Sequence, residues 1–266
     1  MFSIIKTPSH NKFYGLIKEA KENIYLCAPF IKKSIVDKIL ENKSYEIEMV
    51  VITSANISNF MCGSLDISAI KELIKKGVTV RNYQNLHAKI YIFDRKKVLV
   101  TSANLTNNAL YKNFEYGVLI DDSLVADKIY DDYVEMVNSE DCGVFNVSLL
   151  DRLDKIKKQF KKTPTINIDV DNDTIIVEDK DKLILNMSSW QKDVFEIINE
   201  FDESLFNLKD VYLYKLVLKN KHSNNNNIEA KIRQVLQQLR DLGFIKFVEK
   251  GKYKKLWIDK SRVIGD

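Results

Sequence analysis

The chain has 266 residues, 45% of them hydrophobic and 29% charged, with a net charge of +4. That length accommodates two domains with cores of their own, and the composition is that of a globular protein rather than a disordered or fibrous one. No apolar run approaches the ~20 residues that span a bilayer, and the start Met1-Phe-Ser-Ile-Ile-Lys6-Thr lacks a basic region followed by a long apolar one. A cytoplasmic address without a membrane partner is therefore expected. Cys27, Cys62 and Cys142 are odd in number and widely spaced, with no Cys-x2-Cys pair for zinc, so neither a metal nor a cofactor is expected. The charge is uneven: residues 190–266 hold 15 Lys and Arg against 11 Asp and Glu, whereas residues 1–189 balance at 26 each. The excess base falls in the C-terminal quarter, a modest pointer to a polyanionic partner there.

In chain order, residues 12–22 carry apolar side chains at helical spacing, and Ile24 to Phe30 has a buried-strand pattern stopped near Pro29. Helical Ser34 to Leu40, a strand from Ile47 to Thr53, helical Ile67 to Lys76 and a strand from Val78 to Tyr83 follow, with Gly77 where a helix C-cap belongs. This alternation predicts an α/β sandwich around one sheet. At the end of the 47–53 strand, Thr53-Ser54-Ala55-Asn56-Ile57-Ser58 reads as a strand-to-loop exit without chemistry, although it is echoed at 101–106.

His87-Ala-Lys89 then leads into apolar Ile90 to Phe93, a charged corner Asp94-Arg95-Lys96-Lys97, and apolar Val98 to Val100, which together read as a hairpin. Thr101-Ser102-Ala103-Asn104 and, later, Asn113-Phe114-Glu115-Tyr116-Gly117 follow it. Residues two apart on a strand share a face, so His87 and Lys89 are expected to project together from one strand, and Ser102 with Asn104 just beyond the next. An imidazole, an ammonium, a hydroxyl and a carboxamide converging on one small anion supply a nucleophile and several donors, which suits a phosphate ester whose transition state spreads negative charge. Glu115, on a following strand, is placed to hold an imidazole in one tautomer.

His-x-Lys-x4-Asp, then Ser-x-Asn, then Asn-x-Glu, resembles the phospholipase D superfamily in its branch with one such motif per chain, over roughly residues 1–140. One departure is visible: members often carry glycine just before the serine, and this chain has Thr101. The resemblance implies a catalytic set in which His87 is the nucleophile that forms a phosphohistidine, Lys89 and Asn104 bind phosphate oxygens, and Ser102 supports the same anion site. Glu115 would orient the histidine, and Asp94 would act mainly as a structural polar partner. In-line displacement also needs a general acid opposite the nucleophile. With one His-x-Lys per chain, a homodimer through the N-terminal domain is expected to supply it.

After Glu115, Gly117 to Ile120 closes the strand and Asp121-Asp122-Ser123 caps a helix running to about Asn138. Another helix is expected over Val147 to Phe160. Alternating β-branched and acidic residues between Thr165 and Asn186 predict a hairpin, appended to the first domain or bridging to the second. Asp169 or Asp171 with Glu178-Asp179-Lys180 mimics the acid plus Glu-x-Lys set of Mg2+-dependent nucleases, but the two halves sit close in sequence across an Asp-Asn-Asp turn, and a charged solvent face is the better reading.

From Trp190 the pattern changes. A helix to Phe201, a second from Asn207 to Tyr214 and a third from Ile228 to Leu242, ended by Gly243, precede two strands around Lys250-Gly251-Lys252. Three helices and a hairpin spell a winged helix. The third helix starts after Asn227 and offers Lys231, Arg233, Gln234, Gln237 and Gln238 to base edges, while Lys250, Lys252 and Lys254 suit phosphates. This segment resembles the C-terminal winged helix of the Dam-replacing restriction endonucleases, whose relatives read adenine-methylated sites; the nuclease domain of that family is not matched here.

The expected architecture is thus an α/β, phospholipase D-like sandwich of a central sheet flanked by helices over residues 1–160, a linker or β-hairpin over 161–189, and a winged-helix DNA-binding domain over 190–266. The expected activity is metal-independent, sequence-directed cleavage of double-stranded DNA, in restriction or phage defence and sensitive to adenine methylation. The rival readings are a lipid phosphodiesterase, disfavoured because a winged helix would be idle there, and a DNA-binding regulator with an inactive nuclease fold, disfavoured by the intact polar set.

Overall fold

The structure is a computed structural model, and it describes residues 1–55, 59–60, 63–160, 166–169, 174–177, 184 and 187–259. It divides into two compact units, Met1–Ala55 with Gly63–Val147, and Ser148–Asp266 with Asn56–Cys62.

The first unit is built on a mixed eight-stranded sheet. In chain order its elements are β1 (Phe2–Lys6), α1 (His10–Glu19), β2 (Asn23–Cys27), α2 (Lys33–Asn42), β3 (Glu48–Thr53), α3 (Ile67–Lys75) and β4 (Thr79–Tyr83). There follow β5 (Ile90–Phe93), β6 (Lys97–Thr101), a π-helical turn at Asn108–Lys112, β7 (Tyr116–Asp121), α4 (Ser123–Asn138) and β8 (Cys142–Val144). The strand order is β1-β7-β6-β5-β2-β3-β4-β8. Parallel β2, β3 and β4 are joined through α2 and α3, which is why this half alternated so plainly in the sequence. The β5–β6–β7–β1 half is antiparallel. Both faces of the centre are covered. Tyr25, Cys27, Ile52, Ile92 and Val98 pack with Ala126 and Tyr133 of α4, and on the other face Phe13 of α1 lies edge-on to Tyr91 and Phe93. The Asp122 side chain accepts from the Leu124 and Val125 N–H groups and caps α4, and Gly77 has φ +79° after α3. Two short strands escaped the sequence reading: β1, which is paired on one side only, and the three-residue β8.

One expectation is corrected. His87 and Lys89 do not lie within a strand, because β5 begins at Ile90. The Lys89 carbonyl still accepts the Thr101 N–H at 3.1 Å, but the Ala103 N–H, which would come next in register with the His87 carbonyl, goes to Thr101 Oγ1 at 3.1 Å. The ladder that would have held His87 therefore stops one bond short of it.

The second unit contains α5 (Val147–Phe160), β9 (Ile166–Asp169), β10 (Thr174–Val177), α6 (Ser189–Glu200), β11 (Leu205–Asn207), α7 (Leu208–Tyr212), α8 (Lys215–Lys221), α9 (Ile228–Asp241), β12 (Ile245–Glu249), β13 (Lys252–Lys255) and β14 (Trp257–Asp259). A capping box between Ser188 and Gln191 starts α6, and Asn207 with Asp210 starts α7. The second helix, expected from Asn207 to Tyr214, is the shorter α7, and α8 follows it where the sequence reading placed no helix. The helices close over Val194, Phe195, Ile198, Val211, Leu218, Ile232, Val235, Leu236 and Leu239, and Phe195 stacks on Trp257 at 4.3 Å. β11, β13 and β12 form the small sheet, with Gly251 at φ +75° in the β12–β13 turn. The hairpin expected near 165–186 is present as antiparallel β9 and β10, and β10 pairs in parallel with β14. Asp171 and Glu178 to Lys180 of the acidic mimic lie outside the described residues, as do Asn56 to Ser58 of the echoed segment.

Candidate active site and nucleic-acid interface

At one end of β5, β6 and β7 the register sets three polar groups in a row. Ile90 pairs with Val100, and Thr101 with Gly117, so Lys89, Ser102 and Glu115 fall at the adjoining ends of three neighbouring strands. His87 is exposed just before them. Lys89 is buried at 9% exposure and its Nζ donates to the His87 carbonyl at 2.7 Å, which ties the two residues into one compact turn. Burial holds the Lys89 ammonium below its ordinary pKa, and the charge of Glu115 pulls it part of the way back.

Ser102 donates to Glu115 Oε2 at 2.5 Å and accepts the Tyr116 N–H at 3.1 Å. Asn113 Nδ2 reaches the other Glu115 oxygen at 3.4 Å. The Glu115 backbone is pinned by Thr7, whose Oγ1 accepts the Glu115 N–H at 3.0 Å. Among the described residues the Glu115 carboxylate is thus held by Ser102 and Asn113, and not by His87 as expected. The reason is local: Ser102 leaves β6 beside the first residue of β7 and reaches the carboxylate before an imidazole on the far side of β6 does.

Asn104 is oriented through its carbonyl. Oδ1 accepts the Phe30 N–H at 3.3 Å, while Leu105 and Phe30 are joined by a backbone bond at 3.1 Å. With Oδ1 engaged, the chemistry left to the side chain is donation from Nδ2, which is what a phosphate oxygen requires.

Asp94 stands apart from the others. It lies at the opposite end of β5, and its carboxylate accepts the N–H groups of Lys21, Glu22 and Asn23 at 2.8–3.1 Å. Asp94 and Arg95 have φ of +53° and +52°, the pair of positive values that a type I′ hairpin turn demands. Asp94 therefore fastens the β5–β6 turn to the α1–β2 loop and takes no place among the catalytic candidates. Tyr91, given no role in the sequence reading, and Thr101, noted there only as a departure from the family's glycine, both touch the Ser102–Asn104 turn. A hydroxyl-bearing ring two residues beyond Lys89 in an otherwise apolar strand was the available signal for the first.

In the second unit the nine candidate DNA-binding residues separate by environment. Arg233, Gln234 and Gln237 are exposed on α9. Arg233 donates to the Tyr212 hydroxyl at 2.6 Å, and Lys231 to Gln234 Oε1 at 2.8 Å. Gln238, expected on the reading face, instead accepts from the buried Gln191 at 3.1 Å, because its helical position turns toward α6. Asn227 is the N-cap of α9, its Oδ1 accepting the Ala230 N–H at 3.2 Å. Lys250 is exposed in the turn of the wing, Lys252 pairs with Glu249 at 2.9 Å, and Lys254 is half-buried on β13.

The sheet, the row of polar strand ends and the separate helical unit together define a phosphodiesterase fold joined to a winged helix. Residues 13–137 match the family model described as "Cardiolipin synthase, PLD-like domain", and residues 186–255 match "Dam-replacing HTH domain". The chain carries a phospholipase D-like domain followed by a Dam-replacing HTH domain. Among solved structures it is similar to Nuc, a phospholipase D family member from Salmonella typhimurium, at 20% identity over 55% of this chain and 98% of that one, with a TM-score of 0.48. It is also similar to NucT from Helicobacter pylori, at 23% identity over 55% of this chain and 99% of that one, with a TM-score of 0.45. Among the described residues no helix is long and apolar enough to cross a membrane.

Proposed function

We propose that this protein is a sequence-directed DNA endonuclease in which His87 attacks phosphorus and forms a phosphohistidine that water then releases. The observation that carries the reading is the meeting of Lys89, Ser102 and Glu115, beside His87 and Asn104, at the ends of β5, β6 and β7 in a chain that also bears a Dam-replacing HTH domain. Lys89 Nζ and Asn104 Nδ2 stabilise the charge that develops on the nonbridging oxygens. Those two donors leave the chemical step no task for Mg2+. A second chain supplies the general acid. Support for a partner comes from Phe2, Ile4, Val100 and Tyr116, apolar and exposed on one face of β1, β7 and β6 beside the site.

Arg233, Gln234 and Gln237 read bases, and the wing lysines contact phosphates, with adenine-methylated sites the preferred target in restriction or phage defence. The test is digestion of methylated and unmethylated plasmid by the full-length chain in excess EDTA. Discrete fragments from one plasmid are expected. Smearing of both, or activity that appears only when Mg2+ is added, would overturn the sequence-directed or the metal-independent half of the reading respectively.

A further inference from the structure

Ala103, between Ser102 and Asn104, is gripped through both of its peptide groups. Its N–H donates to Thr101 Oγ1 at 3.1 Å, and its carbonyl accepts the Tyr91 hydroxyl at 2.6 Å. Thr101 Oγ1 in turn donates to the Tyr116 carbonyl at 3.2 Å, so the same hydroxyl ties the turn to β7. Tyr91 is fully buried and lies edge-on to Phe13 at 5.2 Å, which fixes its ring, and burial pushes its phenol far above the ordinary range, so it remains a donor.

Space for the Thr101 side chain exists only because its cross-strand partner is Gly117. A Cβ at position 117 would stand 2.8 Å from Thr101 Cβ and 2.8 Å from the Val100 carbonyl. The glycine and the hydroxyl are thus parts of one arrangement. Tyr91 lies on β5 two residues beyond Lys89, so the segment that presents the ammonium also holds the turn that presents the hydroxyl and carboxamide.

We infer that Tyr91 and Thr101 are positioning residues for the reaction, clamping the Ala103 peptide between two hydroxyls and thereby setting Ser102 and Asn104 against Lys89 at the phosphate. This rests on the active-site reading above. Neither hydroxyl touches substrate. Their effect is on where the donors stand when charge develops, and a misplacement of about 1 Å costs up to roughly a hundredfold in rate.

The experiment compares full-length Tyr91→Phe, Thr101→Val and Thr101→Ser with wild type on bis(p-nitrophenyl) phosphate, well below each variant's Tm and with His87→Ala as control. Tyr91→Phe and Thr101→Val are each expected to lower kcat about tenfold with KM nearly unchanged, since donors are displaced rather than removed. Thr101→Ser, which keeps the hydroxyl, is expected to restore the rate. The double variant Tyr91→Phe/Thr101→Val is expected to fall less than the product of the singles, because both act on one peptide. Wild-type kcat in both singles, a rise in KM alone, or a loss that Thr101→Ser shares would overturn the inference. Should Tyr91→Phe fail to fold, Thr101→Val against Thr101→Ser still decides it. A His87→Ala enzyme that turned over normally would remove the active-site reading itself, whereas an inert His87→Ala beside fully active Tyr91→Phe and Thr101→Val would overturn the clamp alone.

Discussion

The sequence Thr-Ser-Ala-Asn occurs twice, at 53–56, where Thr53 ends β3, and at 101–104, where Thr101 ends β6 of the same sheet. After β3 the Thr53 hydroxyl donates to the Pro29 carbonyl at 2.9 Å and the Ser54 hydroxyl to Gln84 at 2.8 Å, both buried. The Ala55 peptide is grasped by the Asn82 side chain, at 2.8 Å through its N–H and 3.1 Å through its carbonyl. After β6 the matching serine is exposed and held by the Glu115 carboxylate, and Asn104 is held through Oδ1. Thr53 and Ser54 are structural at the first exit, whereas Ser102 and Asn104 at the second are the residues proposed to serve the chemistry. What differs is the neighbours. β3 lies between parallel β2 and β4, whose ends bring backbone carbonyls and a buried amide, while β6 lies between strands whose ends bring Lys89 and Glu115.

The sharpest test of that contrast is the loss of the group found only beside the second exit. His87→Ala is expected to lower turnover on plasmid and on bis(p-nitrophenyl) phosphate by about a thousandfold or more, as removal of a nucleophile does, with DNA affinity retained in a gel-shift assay. Lys89→Ala and Asn104→Ala are each expected to cost about a hundredfold in kcat, the usual effect of removing one preorganised donor. If either variant kept wild-type kcat, the charge-stabilising role assigned to it would be wrong.

Replacing the two serines compares the exits directly. Ser102→Ala is expected to cost about tenfold in kcat and little in Tm, because an exposed hydroxyl supports the anion site but no core. Ser54→Ala is expected to leave kcat unchanged and to destabilise by about 1–3 kcal/mol, since it removes the hydrogen bond that a buried hydroxyl gives to the Gln84 carbonyl. Equal rate losses in both variants would mean that the first exit also serves the chemistry.

Much of this was legible before any coordinates. The β2-α2-β3-α3-β4 alternation announced itself because parallel strands buried on both faces are nearly continuous apolar runs, and α3 ended at the glycine that marked it. The grouping of His87, Lys89, Ser102, Asn104 and Glu115 was read from the resemblance of their spacing to the phospholipase D pattern, since His87 and Lys89 precede β5 and the strand period does not reach them. The pairing within it did not follow. Whether Glu115 meets a serine or an imidazole depends on which side of β6 each residue leaves from, and that is set by tertiary register. Asp94 was expected as a structural polar partner, but which groups it holds was opaque for the same reason, since its three N–H donors come from residues some seventy positions earlier. In the second unit the apolar stripe of α9 was plain, but the inward turn of Gln238 depended on Gln191, whose burial nothing in its own surroundings revealed.

The smallest expected effect concerns what the site costs the fold. Lys89 is buried, and desolvation holds its pKa below that of the unfolded chain. At neutral pH both states carry the proton, so the native state bears the cost of a buried cation. As pH rises through the folded pKa toward the unfolded one, the unfolded chain binds the extra proton and wild-type stability gains relative to a variant without the group. Lys89→Met fills similar space without the charge. It is expected to be inactive yet to unfold at a higher Tm than wild type near pH 7, with the difference shrinking as the pH is raised toward 10. Urea or thermal unfolding at two pH values measures this. A Lys89→Met protein less stable than wild type at pH 7 would show that the bonds from Nζ to the His87 carbonyl and the charge of Glu115 outweigh desolvation, and that Lys89 supports the fold as well as the chemistry.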